Sequence, residues 1–411
     1  MKKLFLMKIL IISILFLFNL SNVYAKNLDI DSKYAILYNI DTNEILYEDN
    51  ANEKTSIASL TKIMACIVAI ENIENLDAKV TLGKDVFSGL VEAQASVAGF
   101  KYGENVSYKD LLMGAMLPSG ADATRALAIN IAGSEEDFVK LMNAKAKELN
   151  LSNTNFVNTT GLEANGHYST VQDIATLLIY ALKNDTFKEI YTTREYTTTN
   201  NLKFSSTLKK ISNNYTIDVS HIQGSKTGYT DEAGLCMSSI ANYNGVNYLL
   251  VTAGADYHGN TPRQLLDAIK IYSYFDENYS YKNLINTNDY IATIKINYSK
   301  EKNYVINSPI SITKFLDNSF DAKNIEYKYN GINVISHKNV LGEKLGSVDI
   351  IYNDQLMDTI DVYLNTNVKF SLICFLIQTK LIYPVIIIIL FISLLILKRI
   401  LKKTKKIKVK H

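Results

Sequence analysis

The chain has 411 residues, 47% of them hydrophobic, with 43 basic and 41 acidic side chains. The first 25 residues and the segment after Leu397 hold bases but no acid, so the body between them is net negative. Nucleic-acid binding depends on neutralising phosphate, so this body argues against a nucleic-acid partner. The three cysteines and five scattered histidines form no cluster, and we expect no metal site, no cofactor and no disulfide framework.

Both ends of the chain have targeting patterns. Residues 1–25 combine a basic start, an apolar run and small residues before a potential cleavage site. This pattern predicts a secretory signal peptide rather than an uncleaved anchor. Residues 381–397 are uncharged and precede a basic segment, 398–411, which predicts a transmembrane helix with a cytoplasmic tail. An interfacial helix is the alternative for the C-terminal run. We therefore expect a single-pass protein of the cell membrane whose body lies outside the cytoplasm.

The body opens with two short alternating strands that predict a hairpin, Tyr34–Asn39 and Glu44–Glu48. Helical periodicity and capping residues then predict helices at Thr55–Ile70, after Ser107, and at Ala121–Ala132, Glu135–Leu149 and Thr170–Asn184. Three strands and a closing helix follow at Ile222–Tyr229, Gly234–Tyr243, Val246–Ala255 and Gln264–Phe275. Strands at both ends with helices between them predict an α+β domain over residues 26–279, with an antiparallel sheet covered by helices.

The character of the sequence changes near Asn286. Short, alternating, turn-bounded segments follow one another up to Leu364. They predict a small all-β domain over residues 286–366, similar to a sandwich. No motif with recognisable chemistry lies in it.

A Ser-x-x-Lys motif, Ser59 to Lys62, lies in the first predicted helix. Serine is a weak nucleophile at neutral pH and needs a base within hydrogen-bond reach. Because residues three apart share one face of a helix, the Ser59 hydroxyl and the Lys62 amine can meet. Burial and the helix N-terminus both disfavour the charge of this lysine, which suits a general base. The motif is common by chance, however, and needs partners.

Two further motifs follow in order. Pro118-Ser119-Gly120 lies between an apolar segment and a helical run, and Lys226-Thr227-Gly228 lies in a predicted strand. A Ser-x-x-Lys motif, a second serine motif and Lys-Thr-Gly form the signature set of class A β-lactamases and penicillin-binding proteins. Three motifs in this order are far less expected by chance than one.

Extended blocks around these motifs agree with one family in order and spacing: Ile57–Met64, Met116–Gly120, Asn158–Leu162 with Gly166–Thr170, and Lys226–Gly234. Over about Lys26–Tyr279 the chain resembles the low-molecular-mass penicillin-binding D-alanyl-D-alanine carboxypeptidases, peptidase family S11. The β-rich module and the C-terminal membrane attachment resemble that family's layout. The resemblance implies a β-lactamase/transpeptidase-like catalytic domain.

The resemblance also implies the chemistry. Ser59 would attack the carbonyl between the two terminal D-alanines of a peptidoglycan stem peptide, and Lys62 would take its proton. Ser119 would relay a proton to the leaving amine. The backbone N–H groups of Ser59 and Tyr229 would form the oxyanion hole, which is typically worth about 3–4 kcal/mol per donor. β-Lactam antibiotics would act as covalent inhibitors.

Substrate binding follows from the same resemblance. Lys226 and Thr227 would bind the terminal carboxylate of the substrate, and Arg263 would be a second contact for that carboxylate. Gly228 meets a physical need, because a side chain there would crowd a substrate lying along the strand edge.

One position departs from the family pattern. The second motif usually ends in asparagine, whereas this chain has Ala121. Without that amide Lys62 lacks a hydrogen-bond partner, at a cost of about 1.5–3 kcal/mol. This departure keeps a catalytically weak, membrane-tethered penicillin- or wall-binding protein as one alternative. The other is a β-lactamase, which needs a glutamate to activate water, and no convincing arrangement lies between Ser119 and Lys226.

Two polar residues near the motifs have simpler interpretations. His167 lies in a predicted turn before a helix, and we favour a structural or groove-packing role over catalysis. Asp122 is interpreted as a charge at a helix start rather than as an acid catalyst.

Overall fold

The computed structural model describes residues 28–258 and 261–408. The predicted signal peptide, residues 1–25, lies outside the described residues. Contacts divide the chain between Glu277 and Asn278 into two compact units.

The first unit is built on a five-stranded antiparallel sheet in the order β2-β1-β9-β8-β7. Its strands are β1 (Tyr34–Asn39), β2 (Glu44–Asp49), β7 (Ile222–Thr230), β8 (Gly234–Tyr243) and β9 (Val246–Ala255). Two small hairpins pair β3 (Lys79–Thr81) with β4 (Asn105–Ser107) and β5 (Glu195–Thr197) with β6 (Lys203–Ser205). Because β7 is an edge strand, one side of Lys226-Thr227-Gly228 is unpaired within the sheet.

Eight helices belong to the described part of this unit. They are α1 (Thr61–Asn72), α2 (Tyr108–Met116), α3 (Ala121–Ala132), α4 (Glu135–Glu148), α5 (Val171–Ala181), α6 (Asp185–Thr192), α7 (Thr207–Tyr215) and α8 (Arg263–Asn278). Helix α1 is central, since every residue from Thr61 to Ile70 is buried. A helix that is apolar nearly all round has to be enclosed by other elements, and the sheet and the neighbouring helices enclose it.

The predicted α+β architecture is confirmed, with two local differences. The sequence predicts a helix through Ser59, but α1 begins at Thr61 and Ser59 lies in a 3-10 turn, Ala58–Leu60. Ala58 has φ 44° in the left-handed region, which interrupts a regular helix. The predicted helix Thr170–Asn184 is shorter, because Thr170 is its N-cap and Asn184 is the N-cap of α6.

The second unit is mainly β. Its strands are β10 (Tyr279–Ile285), β11 (Tyr290–Asn297), β12 (Asn303–Asn307), β13 (Ile312–Asp317), β14 (Ile325–Gly331), β15 (Val334–Ser336), β16 (Lys344–Tyr352) and β17 (Gln355–Tyr363). They form small sheets in the orders β10-β13, β12-β11-β15 and β14-β16-β17, around a shared apolar core. Strand β10 falls between the proposed domain ranges 26–279 and 286–366.

Two helices end the described chain, α9 (Leu372–Gln378) and α10 (Ile382–Lys408). The segment Ile382–Lys402 is long and apolar enough to cross a membrane, with a mean hydropathy of 2.6 and none of it buried. The helix thus extends beyond residue 397, where the sequence predicts the span to end.

The carboxylate of Asp122 fastens a loop to the start of α3. It accepts hydrogen bonds from the N–H groups of Ala98 (2.7 Å), Gly99 (3.0 Å), Phe100 (3.2 Å) and Ala123 (2.9 Å). The Asp122 side chain is buried and supplies the hydrogen-bond acceptors for these N–H groups. The helix-start interpretation of Asp122 is incomplete, because most of its bonds go to the loop.

Replacing Asp122 by asparagine should destabilise the first unit. The amide offers one acceptor instead of two and turns an NH2 group toward buried N–H donors, which should cost about 2–4 kcal/mol of unfolding free energy. Thermal unfolding of the detergent-solubilised chain measures the loss. Asp137→Asn, at an exposed ion pair with Lys140 in the first turn of α4, is the control and should lower the melting temperature much less. Equal melting temperatures for the two variants would contradict the role of Asp122.

Candidate active site

Ser59 and Lys62 meet across the junction between the 3-10 turn and α1. The Ser59 side chain is partly exposed, whereas Lys62 is only 2% exposed. The Lys62 Nζ lies 2.9 Å from Ser59 Oγ and donates to the carbonyl of Thr160 at 2.5 Å. Burial lowers the pKa of Lys62 to about 8, against the opposing influence of Cys66 and Asp122. A neutral amine beside a serine hydroxyl is therefore accessible near physiological pH.

Ser119 and Lys226 form a second serine–lysine pair. Lys226, on β7, is 0% exposed, and its Nζ donates to Ser119 Oγ and to the Thr227 carbonyl, both at 2.8 Å. Burial lowers its pKa well below the ordinary value, and the charge of Lys62 lowers it further. Ser119 has φ 64° in the left-handed region, a strained conformation that is held between α2 and α3. The structure thus brings together the Pro118-Ser119-Gly120 motif and the Lys226-Thr227-Gly228 motif.

Two glycines allow backbone segments to pack closely against the 3-10 turn Ala58–Leu60, which we call the nucleophile turn because it holds Ser59. A Cβ on Gly161 would lie 1.9 Å from the Ala58 carbonyl oxygen, and a Cβ on Gly228 would lie 2.8 Å from the Ser59 backbone nitrogen. The structure gives a physical reason for Gly228 in addition to the predicted one, which stays a prediction. A side chain there would strike the turn that holds Ser59, before any substrate is considered.

The loop before α5 supplies contacts that the sequence analysis missed. The Thr160 carbonyl accepts from Lys62, and Asn158 Oδ1 fixes that loop by accepting from the N–H groups of Thr160 (3.1 Å) and Gly161 (2.7 Å). Glu135 Oε1 accepts from Thr159 N at 3.0 Å and from its hydroxyl at 2.7 Å. The Asn158–Leu162 block was visible as a family likeness, but a backbone acceptor has no signature of its own.

His167 supports the nucleophile turn through a hydrogen bond to Thr61. Its Nδ1 accepts from the Val157 N–H at 3.1 Å, which leaves the proton on Nε2, 2.8 Å from Thr61 Oγ1. Thr61 Oγ1 in turn donates to the Ala58 carbonyl at 2.8 Å. Burial, with a smaller contribution from the charge of Lys62, lowers the pKa of His167 to about 4. A neutral, buried ring with both nitrogens engaged fits the predicted structural role.

The other residues predicted to contact substrate are Thr227, Tyr229 and Arg263, and each has its own contacts in the structure. The Thr227 hydroxyl donates to Thr207 Oγ1 at 2.8 Å, at the first residue of α7. Tyr229 is exposed and its ring lies 4.7 Å from that of Tyr257. Arg263 forms an ion pair with Asp31, and no contact among the described residues joins it to the two serine–lysine pairs. Its predicted role as a carboxylate contact stays a prediction.

A partly exposed serine paired with a buried, pKa-lowered lysine, next to a second such pair on a sheet edge, defines a serine acyl-transfer enzyme. The D-alanyl-D-alanine carboxypeptidase model of the peptidase S11 family matches residues 21–257. The chain belongs to this family of serine peptidases.

Relatives agree with this assignment. The D-alanyl-D-alanine carboxypeptidase DacF of Bacillus subtilis is 34% identical over 328 residues, which cover 77% of this chain and 81% of DacF. The D-alanyl-D-alanine endopeptidase of Escherichia coli is 30% identical over 236 residues, which cover 57% of this chain and 75% of that protein. The two names differ in the bond that is cut.

Solved structures share the fold. The D-alanyl-D-alanine carboxypeptidase DacD of Francisella tularensis has a TM-score of 0.65 at 23% identity, covering 86% of this chain and 100% of DacD. The DD-transpeptidase of Streptomyces K15 has a TM-score of 0.54 at 31% identity, covering 60% of this chain and 97% of that chain. The predicted transpeptidase-like fold is confirmed.

Gly161→Ala should slow acylation of Ser59 much more than Gly166→Ala. Both glycines have similar positive φ angles, 79° and 84°, so the backbone strain is matched. A Cβ at Gly166 meets nothing nearer than 3.9 Å, whereas one at Gly161 overlaps the Ala58 carbonyl. We expect Gly161→Ala to lower the rate of labelling by fluorescent penicillin at least about tenfold, and Gly166→Ala to cost about 1 kcal/mol of stability with little change in rate. Equal rates in the two folded variants would show that the turn does not need this close contact.

The rate of penicillin acylation should rise with pH and level off above about 8. Only neutral Lys62 can accept the Ser59 proton, and a lysine whose pKa is lowered to about 8 is protonated below that pH. Below its pKa the rate should rise about tenfold per pH unit. Stopped-flow labelling from about pH 6 to about pH 10 measures this profile. A midpoint near the ordinary pKa of histidine would instead implicate another base.

Proposed function

We propose that the protein is a serine-type D-Ala-D-Ala carboxypeptidase that removes the terminal D-alanine from peptidoglycan stem peptides. The observation that supports this most directly is the 2.9 Å contact between Lys62 Nζ and Ser59 Oγ in a chain of the D-alanyl-D-alanine carboxypeptidase family. The contact joins a nucleophile to a base that is neutral near pH 8.

The reaction proceeds in two steps. Ser59 Oγ attacks the carbonyl of the penultimate D-alanine while Lys62 accepts the hydroxyl proton. The C–N bond then breaks, the leaving amine takes a proton through Ser119, and D-alanine departs. Water hydrolyses the remaining ester by the same route in reverse, which returns the proton to Ser59 and releases the shortened stem peptide.

Ser119 is suited to the proton transfer because of how Lys226 holds it. The Lys226 Nζ donates to Ser119 Oγ, so the serine proton is free to point toward the substrate. The same bond stabilises negative charge that develops on that oxygen when it gives up its proton. The backbone N–H groups of Ser59 and Tyr229 receive the developing oxyanion.

The terminal carboxylate of the substrate is bound at the β7 edge. Lys226 is fully buried, so it acts through Ser119 and Thr227 rather than by open contact with the ligand. The hydroxyls of Thr227 and Thr207 lie beside it at the first turn of α7 and offer direct donors. Tyr229, Gly228 and Arg263 complete the proposed substrate site.

We also propose a membrane location with the catalytic unit outside the cytoplasm. The span within α10 and the basic segment after it support a single-pass anchor with an inner tail. β-Lactam antibiotics, which the same serine attacks, are the proposed covalent inhibitors.

Release of D-alanine from a diacyl-Lys-D-Ala-D-Ala peptide tests the function. The detergent-solubilised chain should release D-alanine, and Ser59→Ala should abolish release because no other described group replaces the nucleophile. Ser152→Ala, at an exposed turn, is the matched control and should retain full activity.

Penicillin labelling separates the alternatives. A label on Ser59 that persists while D-alanine is released supports the carboxypeptidase, and a label that turns over within seconds indicates a β-lactamase. A label with no release of D-alanine indicates a penicillin-binding protein without useful turnover, and absence of both would leave only a wall-binding role.

A further inference from the structure

Exposed apolar side chains gather next to the start of the C-terminal helices. Six of them are between 48% and 66% exposed: Val340, Leu341, Phe370, Leu372, Ile373 and Ile377. We call this set the apolar apron. Soluble surfaces rarely expose so many large apolar residues together, and such patches mark interaction sites.

Helix α9 holds its part of the apron in a fixed position on the second unit. The Ser371 N–H donates to the Tyr298 carbonyl at 2.7 Å, and the Tyr298 N–H donates to Gln378 Oε1 at 2.9 Å. The rings of Tyr298 and Phe375 pack edge to face with centroids 5.1 Å apart. The helix is therefore attached at both ends, with Ile373 and Ile377 facing outward on one side.

The loop between β15 and β16 holds the other part. His337 packs on Phe370 with ring centroids 4.7 Å apart, which puts the loop beside the start of α9. Glu343 folds the loop tip by accepting from the Val340 N–H at 2.9 Å and from the Asn339 amide at 3.0 Å. Val340 and Leu341 thus project from a turn that is braced by its own hydrogen bonds.

The charges around the apron are positive. Lys338, Lys369 and Lys380 are exposed beside it, and the sequence has no acidic residue after Asp361. Both carboxylate oxygens of Glu343 are engaged in the loop. Lysines can lay their apolar stems on such a surface and extend their amines to phosphate.

We propose that the apolar apron is a docking surface for an anionic lipid bilayer. Helix α10 begins at Ile382, four residues after α9 ends at Gln378, so the apron directly adjoins the proposed span. Apolar side chains with a rim of lysines match the headgroup layer of such a membrane. The proposal rests on the proposed membrane location, and it gives the second unit a function: it seats the chain on the bilayer surface.

The absence of tryptophan from the chain allows a clean test, because one introduced tryptophan is the only such fluorophore. The full chain with Leu341→Trp is reconstituted into phosphatidylglycerol–phosphatidylcholine vesicles with plain or brominated acyl chains. Leu356→Trp is the matched control, since it is similarly exposed but lies at the far end of the β16–β17 hairpin. That end is roughly 30 Å along β16 from the loop. Ile389→Trp, inside α10, reports insertion of the span itself.

Docking predicts about a twofold loss of Leu341→Trp fluorescence in brominated vesicles, with a shift to shorter wavelength, and no loss for Leu356→Trp. Quenching of Ile389→Trp without quenching of Leu341→Trp would overturn docking and leave the span intact. Quenching of neither would overturn both, and equal quenching of Leu341→Trp and Leu356→Trp would show unspecific adhesion. Penicillin labelling of Ser59 in each variant verifies that the first unit is folded.

Discussion

The active site depends on the burial of two lysine side chains, Lys62 and Lys226, close enough for one charge to lower the pKa of the other. Each ammonium group loses its water on burial, and this loss is the largest cause of both lowered pKa values. The charge of Lys62 lowers the pKa of Lys226 further, so it is costly to keep both lysines protonated. Lys226 has no exposure, which favours its neutral form, and its Nζ donates to two protein acceptors, Ser119 Oγ and the Thr227 carbonyl.

The surrounding loops position the hydrogen-bond acceptors of these two lysines. The Thr160 carbonyl reaches Lys62 only because Asn158 and Glu135 hold its loop in place. Likewise Ser119 reaches Lys226 in a left-handed conformation, which the structure on both sides has to enforce. Nearby, Asp122 ties the start of α3 to the loop before Lys101. Stability and chemistry are therefore coupled in this part of the fold.

The sequence predicts the sheet strands and the Ser59–Lys62 pair well, because alternation and short motifs are local signals, whereas the contact between Ser119 and Lys226 appears only in the structure. Sequence-based prediction fails where a local conformation depends on contacts between segments that are distant in the chain. The turn at Ala58 lies against Gly161 and Gly228, which come from two distant segments and have no side chain to strike it, and no window of sequence contains all three. Thr160 acts through its carbonyl, which every residue has. The predicted role of Arg263 stays a prediction, and the structure adds an ion pair with Asp31 that no sequence pattern indicates.

The alanine at position 121 can be understood through the hydrogen bonds of Lys62. A neutral amine has two N–H groups and one lone pair. When the lone pair faces Ser59 and one N–H faces the Thr160 carbonyl, the orientation of the amine is already set. An asparagine amide would accept from the remaining N–H, and its absence weakens the charged form more than the neutral one. With Ala121, Lys62 is therefore more often neutral but has a lower affinity for the Ser59 proton. The first effect raises the acylation rate and the second lowers it.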